Sequence, residues 1–279
     1  MRLVRAELLK IITTSAAWWL GVGTLAATAL ALPFNIFMAD QFLGPNPVST
    51  EGMDELQAES VIAQQDVVVQ AANIYTSGQF FGLLLVLVVG MLLVTNEFHH
   101  QTVTTTFLTT PQRTRVITAK LVAAVLIGVL FWVVTTAINL VVGALWLNSA
   151  GYGAQLGEWG VIRSVLLNLL AYAIWAIFGV AFGTLITNQL GAVVTASVLY
   201  LIGTQAASLV FYALSVWLDN PTILEWQVIV PSIASMLMIT GGDDIPGSPP
   251  QWVGAVILIG YAVVTGTIGT LITRKRDIS

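Results

Sequence analysis

The protein has 279 residues, of which 57 % are hydrophobic and only 9 % are charged. Ordinary globular domains carry roughly 25 % charged residues, so this composition excludes a water-soluble domain and a disordered chain. Ten basic residues against fourteen acidic ones also exclude a nucleic-acid binder with a basic face. The composition is that of a polytopic membrane protein, and no cysteine is present to form a disulfide framework.

Uncharged stretches of the chain locate the predicted membrane spans. A charge at the bilayer centre costs about 2.5–3.5 kcal/mol on insertion scales, and a span needs about 20 predominantly apolar residues. The stretch from 164 to 218 has no Asp, Glu, Lys or Arg and is long enough for two spans, separated at Asn188 and Gln189. The sequence therefore predicts a single all-α polytopic domain with six spans, at 16–38, 77–95, 120–147, 164–187, 190–216 and 251–273.

Residues 1–15 have the pattern of a short amphipathic helix before the first span. At about 100° per residue, the apolar side chains share one arc, and Arg2, Arg5 and Lys10 lie largely opposite. We expect a helix in the cytoplasmic interface with its basic residues at anionic headgroups. A basic flank that only sets orientation is the alternative. The long apolar run that follows argues against a cleaved signal peptide.

Two loops follow the first two spans. Residues 39–76 form an outer loop with a turn-rich start at 44–47 and a helix-compatible stretch at 53–72, which we expect to cap the outer mouth of the bundle. Residues 96–119 form a cytoplasmic loop that holds both histidines and a threonine run, a poor helix former. This loop is far longer than a hairpin needs, so we expect it to dock a partner.

The segment 226–242 is uncharged but shorter than a span and contains Pro231. It lies between acidic segments, so we expect a short re-entrant or interfacial outer element before the sixth span. A seventh crossing is the alternative, and it would place the C-terminus on the other side of the membrane.

The basic residues set the orientation of the six spans, because cytoplasmic loops carry an excess of Lys and Arg. With both termini in the cytoplasm, nine of the ten basic residues face the cytoplasm, and only Arg163 lies on the outer side. The nine are Arg2, Arg5, Lys10, Arg113, Arg115, Lys120, Arg274, Lys275 and Arg276.

Polar side chains within the spans are candidates for lining a pathway, or for hydrogen bonds between helices. They are Asn35, Asn139, Asn168 and Gln205, with Thr135 and Thr136. Ion-coupled carriers usually place ionisable groups within spans, whereas here only Lys120 comes near one, at its edge. Gly179 and Gly183 form a GxxxG step that would let the fourth span approach another helix closely.

Several chemistries are missing from the sequence. None of the three lysines follows a glycine of a phosphate-binding loop, so this chain is not expected to bind ATP or act as an enzyme. We expect no catalytic residue. We expect no metal site either, because adjacent histidines point apart on a helix and His99 and His100 have no further His or Cys to join them. A docking loop without an ATP site indicates transport powered by another subunit.

Three segments together resemble one known family. The first is Arg5-Ala6-Glu7-Leu8-Leu9-Lys10. The second comprises Asn96-Glu97-Phe98, Thr102-Val103, Thr110-Pro111-Gln112-Arg113-Thr114-Arg115 and Ala119-Lys120. The third is Arg274-Lys275-Arg276-Asp277. The first is similar to the interfacial elbow helix of the permease subunits of type-2 ABC exporters. The second resembles the loop between their spans two and three, and the third resembles the basic stop after span six. With six spans, the resemblance covers the whole chain.

The resemblance implies a coupling helix in the loop after span two, docked on a separate ATPase subunit. The implied contact residues are Glu97, Phe98, His99, His100, Gln101, Thr102, Arg113 and Arg115, with Asn188 and Gln189 as a second contact. It also implies two ATPase subunits that bind ATP and Mg, a second permease copy or paralogue, no cofactor bound by this chain, and a place in the bacterial cytoplasmic membrane. A non-transporting anchor or sensor subunit, or an independent carrier, are the alternatives.

Overall fold

The computed structural model describes residues 2–53, 55–109, 112–240 and 248–275. Those residues form helices and connecting turns, with no strand among them. Their α-helices are α1 (Arg2–Ile12), α2 (Ser15–Leu43), α3 (Glu55–Gln64), α4 (Val67–Tyr75), α5 (Gln79–His99), α6 (Val103–Thr109), α7 (Arg113–Ser149), α8 (Trp159–Leu185), α9 (Gln189–Val198), α10 (Thr204–Trp217), α11 (Pro231–Ile239) and α12 (Gln251–Lys275). A π-helical turn, Leu199–Gly203, joins α9 to α10, and a 3₁₀ helix, Pro221–Ile229, precedes α11.

Six helical stretches are long and apolar enough to cross a membrane. They are Ser15–Leu43, Val67–His99, Arg113–Ser149, Trp159–Leu185, Gln189–Trp217 and Gln251–Thr273. Each overlaps one span predicted from the charge-free stretches. The prediction of an all-helical chain with six candidate spans is therefore confirmed, and the protein has the architecture of a multi-pass membrane protein.

The second candidate span begins at Val67 rather than at residue 77, so the predicted outer loop 39–76 is shorter than expected. The carboxylate of Asp66 accepts a hydrogen bond from the Val68 N–H at 2.8 Å and caps α4. Ile74 and Tyr75 of α4 are fully buried, because this helix packs within the bundle. The helix then breaks before α5 at Gly78, whose φ of +80° is left-handed.

The predicted cytoplasmic loop 96–119 is also shorter in the structure, because α5 continues to His99 and α7 begins at Arg113. Most of the threonine run forms α6, while Thr110 and Pro111 lie outside the described residues. Between α5 and α6, Gln101 adopts a φ of +56°, and the Thr102 N–H donates to the Glu97 carbonyl at 2.9 Å. This turn folds α6 back against the end of α5.

Helix α5 is the centre of the bundle and packs most closely on α8. A Cβ built on Gly90 would lie 2.9 Å from the Gly179 Cα, and one built on Gly179 would lie 2.1 Å from the Leu87 carbonyl oxygen. A Cβ on Gly183 would lie 2.9 Å from the Met91 carbonyl oxygen. The close approach predicted for the glycine step is confirmed, and its partner is α5 of the same chain.

The apolar core has two clusters that meet at a layer of polar side chains. One cluster includes Leu83, Ile127 and Tyr172, and the other includes Tyr75 and Leu147. In chain order along α2, α7 and the α4–α5 break, polar side chains separate the residues of one cluster from those of the other. On α8, Asn168 lies close to the point where one cluster gives way to the other. We call this set the polar layer, and it consists of Thr28, Thr76, Ser77, Gln79, Thr136, Asn139 and Asn168.

The chain turns sharply between the 3₁₀ helix and α11, which are bent by 99° at a break ahead of Pro231. The hydroxyls of Ser232 and Thr204 lie 2.6 Å apart, and the Trp175 Nε1–H donates to Ser235 Oγ at 2.8 Å. These bonds hold the bent pair against α10 and α8. The segment predicted at 226–242 thus contains this bend, with its last two residues outside the described part of the chain.

Candidate functional site

Four charged side chains form a closed ring where α1, α5 and α7 meet. Lys10 Nζ lies 2.9 Å from Glu7 Oε1 and 2.6 Å from Glu97 Oε1. Lys120 Nζ lies 2.7 Å from Glu7 Oε2 and 2.9 Å from Glu97 Oε1. We call this set the ion-pair ring. Each lysine contacts both carboxylates, so the two negative and two positive charges compensate one another.

The ion-pair ring is largely withdrawn from solvent. The side chains of Glu7, Glu97 and Lys120 are 5 %, 8 % and 3 % exposed, whereas that of Lys10 is 47 % exposed. Lys120 Nζ also donates to the Leu93 carbonyl at 2.8 Å. Burial of a charge is costly unless it is paired and hydrogen-bonded, so the ring is stable only while all its members are present.

The environment of Lys10 raises its pKa above the ordinary value. Partial burial lowers the pKa, but the hydrogen bonds from its ammonium to Glu97 and Glu7 and the charges of both carboxylates outweigh that effect. Lys10 is therefore positively charged throughout the physiological pH range.

Glu97 occupies a different place from the one expected of a contact residue. It is buried in the ion-pair ring, and its Oε1 also accepts a hydrogen bond from Thr106 Oγ1 of α6 at 3.4 Å. The same residue thus holds α1, α7 and α6 against the end of α5. Its predicted contact with an ATPase subunit stays a prediction, and the burial indicates a positioning role for this carboxylate.

Helix α1 directs Glu7 and Ile11 into the bundle, while Arg2 and Arg5 are exposed. The amphipathic pattern anticipated a helix here, but it placed Lys10 at lipid headgroups rather than in an ion pair. Sequence reasoning did not single out Glu7 as a functional residue. Two features of the sequence could have indicated the pair: Glu7 is the one acidic residue of segment 1–15, and Lys120 lies at the edge of a predicted span.

A pocket of about 850 Å³ opens between the end of α5, directly after Glu97, and the start of α9. Its lining residues are Phe98, His99, Thr187, Asn188, Gln189, Leu190 and Val193. The side chain of Asn188 accepts a hydrogen bond from the Gly191 N–H at 2.8 Å and so fixes the start of α9. The structure brings together the two predicted contact segments, around His99 and around Asn188, on one surface.

The pocket is lined by both apolar side chains and polar groups. Phe98, Leu190 and Val193 supply apolar surface, and the backbone turn at 187–189 supplies amide and hydroxyl groups. The lining residues include no Asp, Glu, Lys or Arg.

The remaining predicted contact residues lie around this end of the bundle. His100, Gln101 and Thr102 are exposed in the turn after α5, and the His99 and His100 rings meet edge to face with centroids 4.9 Å apart. Arg115 is exposed on the first turn of α7. Arg113 Nη1 donates to the Thr273 carbonyl at 3.3 Å, which ties the start of α7 to the end of α12.

The four amide side chains among the pathway candidates fall into three environments. Asn35 Nδ2 donates to Ser77 Oγ at 2.8 Å, and Asn139 Nδ2 donates to the Ser77 carbonyl at 2.9 Å, so both serve as bonds between helices. Asn168 is buried in the polar layer. Gln205 is exposed on α10.

One family model matches this chain, and its description is "Protein of unknown function (DUF2705)". A comparison with curated proteins returned no match. The family match runs over residues 48–279 and includes five of the six candidate spans, the pocket, and two members of the ion-pair ring, Glu97 and Lys120. Because the match covers most of the chain, the protein belongs to the DUF2705 family.

Proposed function

We propose that the protein is the membrane-spanning permease subunit of an ATP-driven export complex of the type-2 ABC kind, powered by separate ATPase subunits. The observation that carries this proposal is the pocket that joins Phe98 and His99 to the turn at 187–189. Two segments far apart in sequence form one surface at the end of the bundle, and that surface has the mixed polar and apolar lining of a protein docking site.

The ion-pair ring supports a coupling role for this surface. Glu97 precedes Phe98 and His99 of the pocket, and its carboxylate is bonded to α1 and α7. A displacement of the pocket by a bound ATPase therefore acts directly on the ends of three helices. Closure of the ATPase pair on ATP would then bias the permease between two arrangements, because a ligand favours whichever state it binds better.

The proposed orientation places the pocket and both termini in the cytoplasm. Nine of the ten basic residues then lie on that side, as expected in a bacterial cytoplasmic membrane. In this orientation α1 is the interfacial elbow helix, with Arg2 and Arg5 exposed to anionic lipid. The bent pair before α12 is a re-entrant element that enters from the outer side and reaches Thr204.

Gln205 supports a second permease in the complex. Its side chain is exposed near the middle of the helical stretch Gln189–Trp217, where the surrounding solvent would be hydrocarbon. An amide in hydrocarbon has no hydrogen-bond partner. In a two-fold dimer the same surface meets itself, and two glutamine amides can each donate and accept. The substrate pathway would then lie at this interface.

Co-purification tests the proposal. The tagged chain is extracted from native membranes in detergent, and the recovered subunits are identified by mass spectrometry. We expect a stoichiometric ATPase subunit with the wild type and with Leu156→Glu, whose site is an exposed loop position outside the pocket. We expect its loss with Leu190→Glu, which puts a charge on the pocket rim. Recovery of a partner without ATPase sequence motifs would favour an anchor or sensor subunit instead.

A further inference from the structure

The polar layer and Trp132, which precedes it on α7, contain several buried polar atoms without a hydrogen-bond partner. Thr136 Oγ1, Asn139 Oδ1, Asn168 Oδ1 and Gln79 Oε1 receive no hydrogen bond from the part of the chain that the structure describes, and Trp132 Nε1 donates none. Thr136, Asn139 and Asn168 are 4 %, 1 % and 3 % exposed. An unpaired buried polar atom is costly, so native proteins pair such atoms with protein groups, ordered water or ions.

The assignment of the unpaired oxygen on Asn139 follows from its bonds. Its Nδ2 donates to the Ser77 carbonyl at 2.9 Å and to the Tyr75 carbonyl at 3.3 Å. The amide nitrogen is thus fixed on the carbonyl groups of the α4–α5 break, and the oxygen is directed elsewhere. If the amide were rotated by half a turn, its oxygen would face the carbonyl oxygens of Ser77 and Tyr75, and no hydrogen bond could form because all three atoms are acceptors.

The unpaired atoms of Trp132, Thr136 and Asn139 lie along about two turns of α7. Trp132, Thr136 and Asn139 follow one another at helical spacing on one face of α7, in which Gly128 at one end meets Tyr172 of α8 and Gly143 at the other meets Tyr75. Helices α7 and α8 run antiparallel, and Gly128 of α7 contacts Tyr172 of α8. The next turn along α7 runs from Trp132 to Thr136, and one turn back along α8 is Asn168, so Asn168 lies at the same height as that turn of α7.

We infer that the polar layer is an internal hydration site, in which a row of bound waters donates to Asn168, Thr136 and Asn139 and accepts from the Trp132 indole. Water suits this set because it supplies both donors and acceptors, and a buried water typically makes about three hydrogen bonds. A monovalent cation would satisfy the oxygens but would be repelled by the Trp132 N–H. The α4–α5 break therefore lies beside water inside an apolar bundle.

Radiolytic hydroxyl-radical labelling tests this inference on the full-length protein in detergent. Radicals formed from bound water oxidise adjacent side chains, and mass spectrometry locates the products. We expect Trp132 to be labelled although its indole nitrogen is enclosed, and to take up ¹⁸O from added H₂¹⁸O more slowly than the exposed Trp217. In Thr136→Val/Asn168→Leu the label at Trp132 should fall several-fold, while Thr136→Ser should retain it.

Three results would overturn the inference. The first is an unlabelled Trp132 in the wild-type protein, which needs no variant to fold. The second is a rise in melting temperature for Thr136→Val/Asn168→Leu, since that marks the removal of dry, unpaired groups. The third is a rise in the wild-type melting temperature with NaCl but not with choline chloride, which indicates a cation site.

Discussion

Lys120 Nζ lies 2.7 Å from Glu7 Oε2, although the two residues are 113 positions apart in the chain. Both side chains are almost fully buried. The contact docks the N-terminal helix α1 onto α7, and Glu97 and Lys10 close it into the ion-pair ring. Helix α1, which precedes the first candidate span, is thus paired with Glu97, the residue directly before Phe98 of the pocket.

The buried charges of the ion-pair ring predict a strong effect of Lys120→Met. Removing one partner of a buried ion pair costs about 3–5 kcal/mol, because the other charge stays buried without compensation. We expect a lower melting temperature in detergent, and partial recovery when Glu7→Gln is added. Arg5→Ala, at an exposed position on the same helix, is the control and should have little effect. Equal melting temperatures for Lys120→Met and wild type would refute the structural role of the ring.

The raised pKa of Lys10 predicts how its contribution depends on pH. A lysine whose pKa is higher in the folded than in the unfolded state stabilises the fold fully below its ordinary pKa of about 10.4, and this stabilisation is lost as the pH rises through the folded value. The difference in stability between wild type and Lys10→Met should therefore be constant from neutral pH to mildly alkaline pH and shrink only in strong alkali. A difference that already vanishes at mildly alkaline pH contradicts the assigned pairing.

The contact between α5 and α8 predicts opposite effects of Gly→Ala at different sites. Gly90→Ala would place a Cβ 2.4 Å from the Ala176 carbonyl oxygen, and we expect overpacking to destabilise the protein by about 1–3 kcal/mol. Gly260→Ala on α12 meets nothing within 4 Å, and we expect it to be neutral or to stabilise by up to about 1 kcal/mol. Thermal unfolding of both variants side by side checks this. Equal effects would mean that the helices do not approach as described.

The proposed second permease predicts a specific cross-link. Because the natural chain has no cysteine, Gln205→Cys introduces a single thiol. We expect a disulfide-linked dimer in native membranes after mild oxidation, since a two-fold axis brings position 205 next to itself. Val263→Cys, exposed on α12, is the matched control and should remain monomeric. Equal cross-linking at the two positions would argue for random collisions.

The sequence was sufficient for the spans because charge is excluded from hydrocarbon whatever the tertiary packing, and this signal is local. The predicted second span begins at residue 77, ten residues after the candidate span of the structure begins at Val67. The charge-free stretch also begins at Val67, but the polar and glycine residues Thr76, Ser77 and Gly78 interrupt the helix there. The partnership of Glu7 with Lys120 carries no local pattern. Only the packing of α1 beside α7 creates it.

The candidate docking site was predictable in part for the same reason. Both contact segments stood out as polar interruptions between apolar stretches, His99 after one span and Asn188 between two others. Their meeting in one pocket depends on how α5 and α9 pack, which the sequence does not encode locally. The burial of Glu97 likewise depends on two lysines from other helices.

Photo-cross-linking from the pocket tests the central claim most directly. A photoreactive amino acid is introduced at position 190 on the pocket rim, or at position 156 as a control, and native membranes are irradiated. The account predicts that position 190 captures a subunit with a phosphate-binding loop sequence and that position 156 does not. Capture at position 190 of lipid alone, or of a protein without that sequence, would contradict it.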